Sequence, residues 1–183
     1  QGTANERPLR ITNDTNGNDV VLFDGNNDWF TLNTELDLSG DLTTFAVIKR
    51  NASGINTLIL SNETDGKIYA PNWFSNDIIF YRNGNNYLTS TATTQTGVFI
   101  LEGQNHLNAA TSSKLIKNGS VVASGDIGTT NLKYNTVGFQ GPSVNAYMKG
   151  EICEIAHYNR ELSSTEILDV RKYLANKWGI TLN

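Results

Sequence analysis

In 183 residues the chain has one cysteine, one methionine and three prolines. A single cysteine excludes an intramolecular disulfide, so the fold has to be held by its core alone. No apolar run approaches the roughly 18 residues that a membrane-spanning helix needs. Basic residues are also few: 14 Lys and Arg stand against 18 Asp and Glu, a net charge of −4. The basic residues are scattered, whereas phosphate contacts need them clustered, which argues against a nucleic-acid partner. The start, QGTANERPLR, carries no signal-like segment and reads as an excised or processed terminus.

Charged residues make up 17% and apolar residues 38%, both low for a globular protein. Asn, Thr, Ser and Gly fill the difference, a composition that favours turns and β-structure over helix. Seven Phe, seven Tyr and three Trp are spread along the chain, which separates it from disordered sequences. The length suits one domain with a core of its own. Triplets of the N-x-S/T type at Asn13, Asn51, Asn62 and Asn118 are what so much Asn, Ser and Thr yields by chance.

Short alternating or apolar runs recur between clusters of turn residues. They predict strands at 18–23, 29–32, 43–50, 56–61, 67–70, 77–82, 87–90, 97–105, 113–117, 120–124, 135–139 and 147–157. The segments NASG, NETDG, RNGNN and KNGS between them supply the positive φ that tight turns require. The cleanest hairpin is LIKNGSVVAS, turning at Asn118-Gly119. Many short strands with regular turns predict an all-β fold, an antiparallel two-sheet jelly-roll sandwich. Residues 1–17 read as an N-terminal extension or first edge segment, and 18–183 as a single jelly-roll domain.

The C-terminus differs. Ser163 and Glu166 form a capping box, with Leu162 and Ile167 placed as a hydrophobic staple. Ile167, Val170, Leu174 and Trp178 make one apolar stripe, Lys177 sits in the last turn, and Gly179 is the stop. These signals predict one α-helix at about 164–178, packed on the sandwich through Trp178. Cys153, in the alternating GEICEIAHY, reads as a structural thiol in a strand, because no basic neighbour is placed to lower its pKa.

Three stretches carry a resemblance: VLFDGNNDWFTL followed by TTFAVIKR, the hairpin IKNGSVVAS, and the ending GEICEIAHYNRELSSTEILDVRKYLANKWGI. Together they resemble a laminin-G-like domain of the concanavalin A-like lectin/glucanase superfamily, over about residues 18–182. The resemblance implies two antiparallel sheets, one concave, with a short helix outside. It also implies an extracellular setting, glycan binding, and a place in adhesins, secreted glycan-degrading enzymes or phage tail proteins.

Catalytic patterns of that superfamily are incomplete here. Its glucanases carry carboxylates on alternate residues of one strand, in an E-[IL]-D-x-x-E arrangement. ELDLSG offers Glu35 and Asp37 at this spacing, but Gly40 stands where the third carboxylate belongs, so the stretch reads as a solvated loop. Glu151 and Glu154 are three apart and point to opposite faces of a strand. Gln104 and His106 match the Gln-x-His of the sister lyases, with Tyr81 or Tyr87 as a supporting Tyr, yet no strand rich in Lys and Arg faces them. There is no G-x-S-x-G elbow, and one Cys with two separated His gives no zinc-ligand spacing. The expectation is a protein that is not an enzyme.

The loop Asp24-Gly25-Asn26-Asn27-Asp28 leaves three readings. It is a turn whose acids cap backbone amides, a Ca²⁺ site, or a ligand contact. The resemblance implies a structural calcium between an N-terminal loop and the last strands, with Asp24, Asp28 and Glu154 as the matching carboxylates. Because FDG is part of the resemblance at the level of the fold, the turn leads.

A sugar site pairs an aromatic platform with planar amides and carboxylates. The stretch 68–88, IYAPNWFSNDIIFYRNGNNYL, is the densest such segment. Its candidate ligand contacts are Trp73, Asn76, Asp77, Tyr81, Arg82, Asn85 and Tyr87, with Trp73 first because Pro71 and Asn72 argue against a central strand there. The functional expectation is a lectin-like module binding a glycan or cell-surface receptor, outside the cell or on a virion surface. The alternative is a structural or assembly domain that binds its parent protein or another copy of itself, as a homo-oligomer.

Overall fold

A computed structural model of the chain describes residues 4–38, 40–51, 59–62, 68–70, 78–83, 86–91, 96–106, 113–128, 132–140 and 146–183. Two antiparallel sheets face each other, with one helix outside. The first sheet has seven strands in the order β1 (Leu9–Thr15), β2 (Asn18–Asp24), β15 (Lys149–Tyr158), β4 (Leu42–Arg50), β9 (Gly97–Asn105), β10 (Ser113–Lys117) and β11 (Ser120–Gly125). The second has six, in the order β3 (Phe30–Leu38), β12 (Leu132–Val137), β5 (Leu60–Ser61), β6 (Ile68–Ala70), β7 (Ile78–Asn83) and β8 (Asn86–Thr91). A small antiparallel pair is formed by β13 (Phe139–Gln140) and β14 (Ala146–Tyr147).

Alternation along the central strands creates two cores. Ala46, Ile48, Phe99 and Leu101 point between the sheets, where they meet Phe23, Leu60, Tyr134 and Met148. Phe45, Val47 and Ile100 point the other way and meet Leu162, Leu174, Ala175 and Trp178. β4 is therefore apolar on both faces, which explains why residues 42–48 are all buried rather than alternating.

The second core exists because α1 (Ser164–Trp178) covers the outer face of the first sheet. Both halves of the Ser163/Glu166 capping box form, and Gly179 closes the helix in the left-handed region, at φ 68° and ψ 37°. The β10–β11 hairpin turns at Asn118 and Gly119, whose φ values of 48° and 93° are the two positive angles that a tight hairpin turn demands.

Residues 9–15, within the segment read as an N-terminal extension or first edge segment, form an edge strand paired with β2. One segment departs from the sequence reading. The stretch around Glu35 is not a solvated loop, because β3 runs on to Leu38 and pairs with β12. Leu32, Leu36 and Leu38 fall on alternate positions, and pairing with β12 outweighs the turn propensity of Asn33. Glu35 is engaged there by Lys133 Nζ at 3.1 Å and Asn62 Nδ2 at 3.0 Å.

Candidate binding site

The opening loop is a self-satisfied turn. Asp24 Oδ1 accepts from the backbone N–H groups of Asn26 (2.8 Å) and Asn27 (3.3 Å), and its Oδ2 accepts from Asn26 Nδ2 (3.1 Å). Asp28 Oδ2 accepts from the backbone N–H of Asp24 at 2.9 Å. Gly25, at φ 86°, passes so close to Lys149 that an added Cβ would lie 2.8 Å from the Lys149 Cβ. Burial works against the charge on Asp24, but the hydrogen bonds from its neighbours outweigh it and hold the carboxyl below its usual range. Asp28 goes the other way: burial, added to the nearby charge of Asp24, raises it despite its one hydrogen bond. Trp29 then leaves the turn to meet Phe139, ring centroids 5.0 Å apart, and Phe30 meets Phe23 edge-on at 5.8 Å.

The third carboxylate proposed for calcium is elsewhere. Lys149, at the start of β15, is in register with Asp24, and Glu154 lies five residues further along that strand. That spacing is roughly 16 Å of extended chain. Glu154 is held by the helix instead, accepting from Trp178 Nε1 at 2.7 Å, Tyr173 OH at 3.1 Å and Lys177 Nζ at 3.1 Å. Asp24, Asp28 and Glu154 do not converge, and both oxygens of Asp24 and of Glu154 already accept hydrogen bonds. As a set of three they do not fit the ion, which wants six to eight oxygens around one point.

Of the candidate catalytic residues, Gln104 is closed off from solvent. Gln104 donates to Glu102, and Glu102 is clamped by Arg171 of α1 at 2.6 and 3.0 Å, so the pair is buried beneath the helix. Cys153 sits at a register shift between β15 and β4. Burial first, then the charge of Glu151, pushes its thiol up to about 12, far from a reactive thiolate.

Of the proposed sugar contacts, Trp73, Asn76, Asp77 and Asn85 lie outside the described residues. Tyr81 and Arg82 belong to β7 and Tyr87 to β8, at the edge of the second sheet. Register pairs Tyr81 with Leu88, which is buried in the core, and Arg82 with Tyr87, which is 57% exposed. The sheet edge therefore carries an aromatic residue open to solvent opposite an Arg position.

A cleft elsewhere was not foreseen from the sequence. An open cleft of about 290 Å³ lies between the sheets, lined by Val21, Phe23, Phe30, Val137, Ile152 and Ile155, with Cys153 and Glu154 beside them. These residues come from the neighbouring strands β2 and β3 and from β12 and β15 more than 90 residues further on, so no local pattern announces them. The lining is mostly apolar and offers no planar amide for a sugar hydroxyl.

No protein-family model and no curated protein matches the sequence. Solved structures do match. The chain is similar to the binding domain of botulinum neurotoxin serotype D, with 17% identity and a TM-score of 0.66, over 96% of this chain and 49% of that one. It is also similar to domain 4 of an extracellular arabinanase from Geobacillus stearothermophilus, solved in complex with arabinotriose, with 14% identity and a TM-score of 0.54, over 90% and 76% of the two chains. A third is the binding domain of botulinum neurotoxin DC in complex with SialylT, with 10% identity and a TM-score of 0.55, over 97% and 55%.

What is shared is the fold. The chain spans about half the length of the neurotoxin domains. The similar structures are β-sandwich domains, and those from the neurotoxins are described by binding rather than by catalysis. Among the described residues, no helix is long and apolar enough to cross a membrane.

Proposed function

We propose that this chain is a non-catalytic, lectin-like binding module of the laminin-G-like, concanavalin A-like type, carried by a larger protein outside the cell or on a virion surface. Its ligand is a glycan on a cell surface or receptor. The observation that carries this reading is the cross-strand pair of Arg82 and the exposed Tyr87 at the β7–β8 edge. An aromatic face takes the C–H side of a sugar ring, and an Arg at the paired register position brings a donor for hydroxyls or an acidic substituent. Trp73, Asn76, Asp77 and Asn85 belong to the same stretch of sequence, 68–88, and are candidate contacts of the same kind. The fold shared with a domain solved with arabinotriose supports the reading without naming the sugar.

The test is a comparison of Tyr87→Ala and Trp73→Ala with the wild type for glycan binding. Loss of binding with an unchanged melting temperature supports the proposal. Full binding by both variants, with an affinity for protein instead, moves the assignment to the assembly domain.

A further inference from the structure

Asp41, His106 and Glu161 are far apart in sequence, yet each offers one ligand atom within 4.8 Å of the others. They come from three different places: the residue before β4, the residue after β9, and the link from β15 to α1. Each backbone is anchored independently. Leu42, next to Asp41, pairs with Asn105, next to His106. The backbone N–H of His106 donates to Ser113 Oγ at 3.1 Å. Thr43 Oγ1 spans the link on both sides of Glu161, donating to the Arg160 carbonyl at 3.3 Å and accepting from the Leu162 N–H at 3.2 Å.

The side chains are less settled than their backbones. Asp41 Oδ1 is shut off from solvent and has no hydrogen-bond partner among the described residues. A shielded carboxylate oxygen without a donor is costly, and it calls for a cation or a proton. His106 Nδ1 faces Glu161 Oε2 at 3.7 Å, too long for a hydrogen bond. An ion about 2.1 Å from each donor in a tetrahedral arrangement would hold them about 3.4 Å apart, so this pair needs little movement. Glu161 is 57% exposed and can swing inward.

We propose that Asp41, His106 and Glu161 form a binding site for a divalent transition cation. One imidazole nitrogen with two carboxylates is a borderline donor set suited to Zn²⁺ or Mn²⁺, whereas Ca²⁺ takes oxygen ligands alone. Three protein ligands leave a position open to water or to an oxygen of a bound molecule. The ion also ties the start of α1 to the strands β4 and β9, so binding it stabilises the docked helix. This site is separate from the β7–β8 edge and does not depend on the glycan reading.

The experiment is calorimetric titration of Zn²⁺, Mn²⁺ and Ca²⁺ into tag-free protein, with wild type beside His106→Ala and Glu161→Gln. The chain has only two histidines, His106 and His157, so imidazole NMR reports on the ligand directly. The expected result is about one equivalent of Zn²⁺ or Mn²⁺ bound to wild type, about tenfold weaker or worse in both variants. Zn²⁺ shifts the resonances of His106 and leaves those of His157 in place. Both substituted residues lie outside the two cores, so a melting curve confirms that the variants fold. Absence of binding to wild type overturns the proposal, as does binding that survives His106→Ala. A preference for Ca²⁺ lost in Glu161→Gln alone overturns the assignment of a transition ion.

Discussion

The indole Nε1 of Trp178 donates to Glu154 Oε2 at 2.7 Å, fixing the last turn of the helix to the middle of β15. Trp178 is 3% exposed, yet its one polar atom has a charged partner. Lys177 closes the same cluster, ion-paired with Glu154 and lying over the rings of Tyr173 and Trp178. The helix is held by an apolar stripe with a polar clasp at its end.

Trp178→Ala should therefore cost about 3–5 kcal/mol, because it removes the largest side chain of the second core. Glu154→Gln keeps an acceptor for the indole but loses the ion pair, and should cost about 1 kcal/mol. Urea unfolding of both variants checks the order. A larger loss from Glu154→Gln than from Trp178→Ala would mean that the clasp, not the stripe, docks the helix.

Glu166 gives a pH signature. Arg160 beside it, then hydrogen bonds from Ser163, hold its carboxyl at about 2, against an ordinary value of 4.5. A depressed carboxyl contributes stability above its unfolded pKa and loses it as pH falls through the folded one. The cap should weaken between pH 4.5 and about 2. The group is on the surface, so salt should shrink the effect. Acid titration of Glu166→Gln beside wild type, followed by helix circular dichroism, should show a smaller loss in the variant over that window.

Asp28 has the opposite sign. Burial raises its carboxyl above the ordinary 3.8, so the folded state resists its ionisation. The stability tied to this group is full below pH 3.8 and is lost as pH rises through the raised folded value. Asp28→Asn keeps an oxygen to accept from the Asp24 N–H. It should therefore melt at or above the wild-type temperature at pH 7, with the difference vanishing below pH 3.8. Calcium should leave both melting temperatures unchanged. A calcium-dependent rise in wild type, absent in Asp28→Asn, would restore the loop as a metal site.

Much of the architecture was legible because its signals are local. The helix from Ser163 to Gly179 declares its cap, stripe and stop within one stretch, and Asn118-Gly119 declares its hairpin in two residues. The edge strand β1 was harder, since Arg10, Asn13 and Asp14 give it little apolar alternation and its pairing with β2 decides it. The calcium set failed for a different reason. Asp24 and Asp28 flank one turn, but Glu154 lies in the middle of β15, where the clasp on Trp178 claims it. The sites that sequence reading missed are assembled across long separations. The cleft draws on four strands, and Asp41, His106 and Glu161 meet only once β4, β9 and the β15–α1 link are neighbours. Nothing in their local spacing encodes that meeting.

The most direct measurement is a glycan array with the purified domain, run with wild type and Tyr87→Ala side by side. The expected result is a specific set of glycans bound by wild type, with Tyr87→Ala weaker by about tenfold, or about 1.4 kcal/mol, and its melting curve unchanged. Wild type that binds no glycan, or a Tyr87→Ala variant that binds the same set equally well, would contradict a sugar site at the β7–β8 edge.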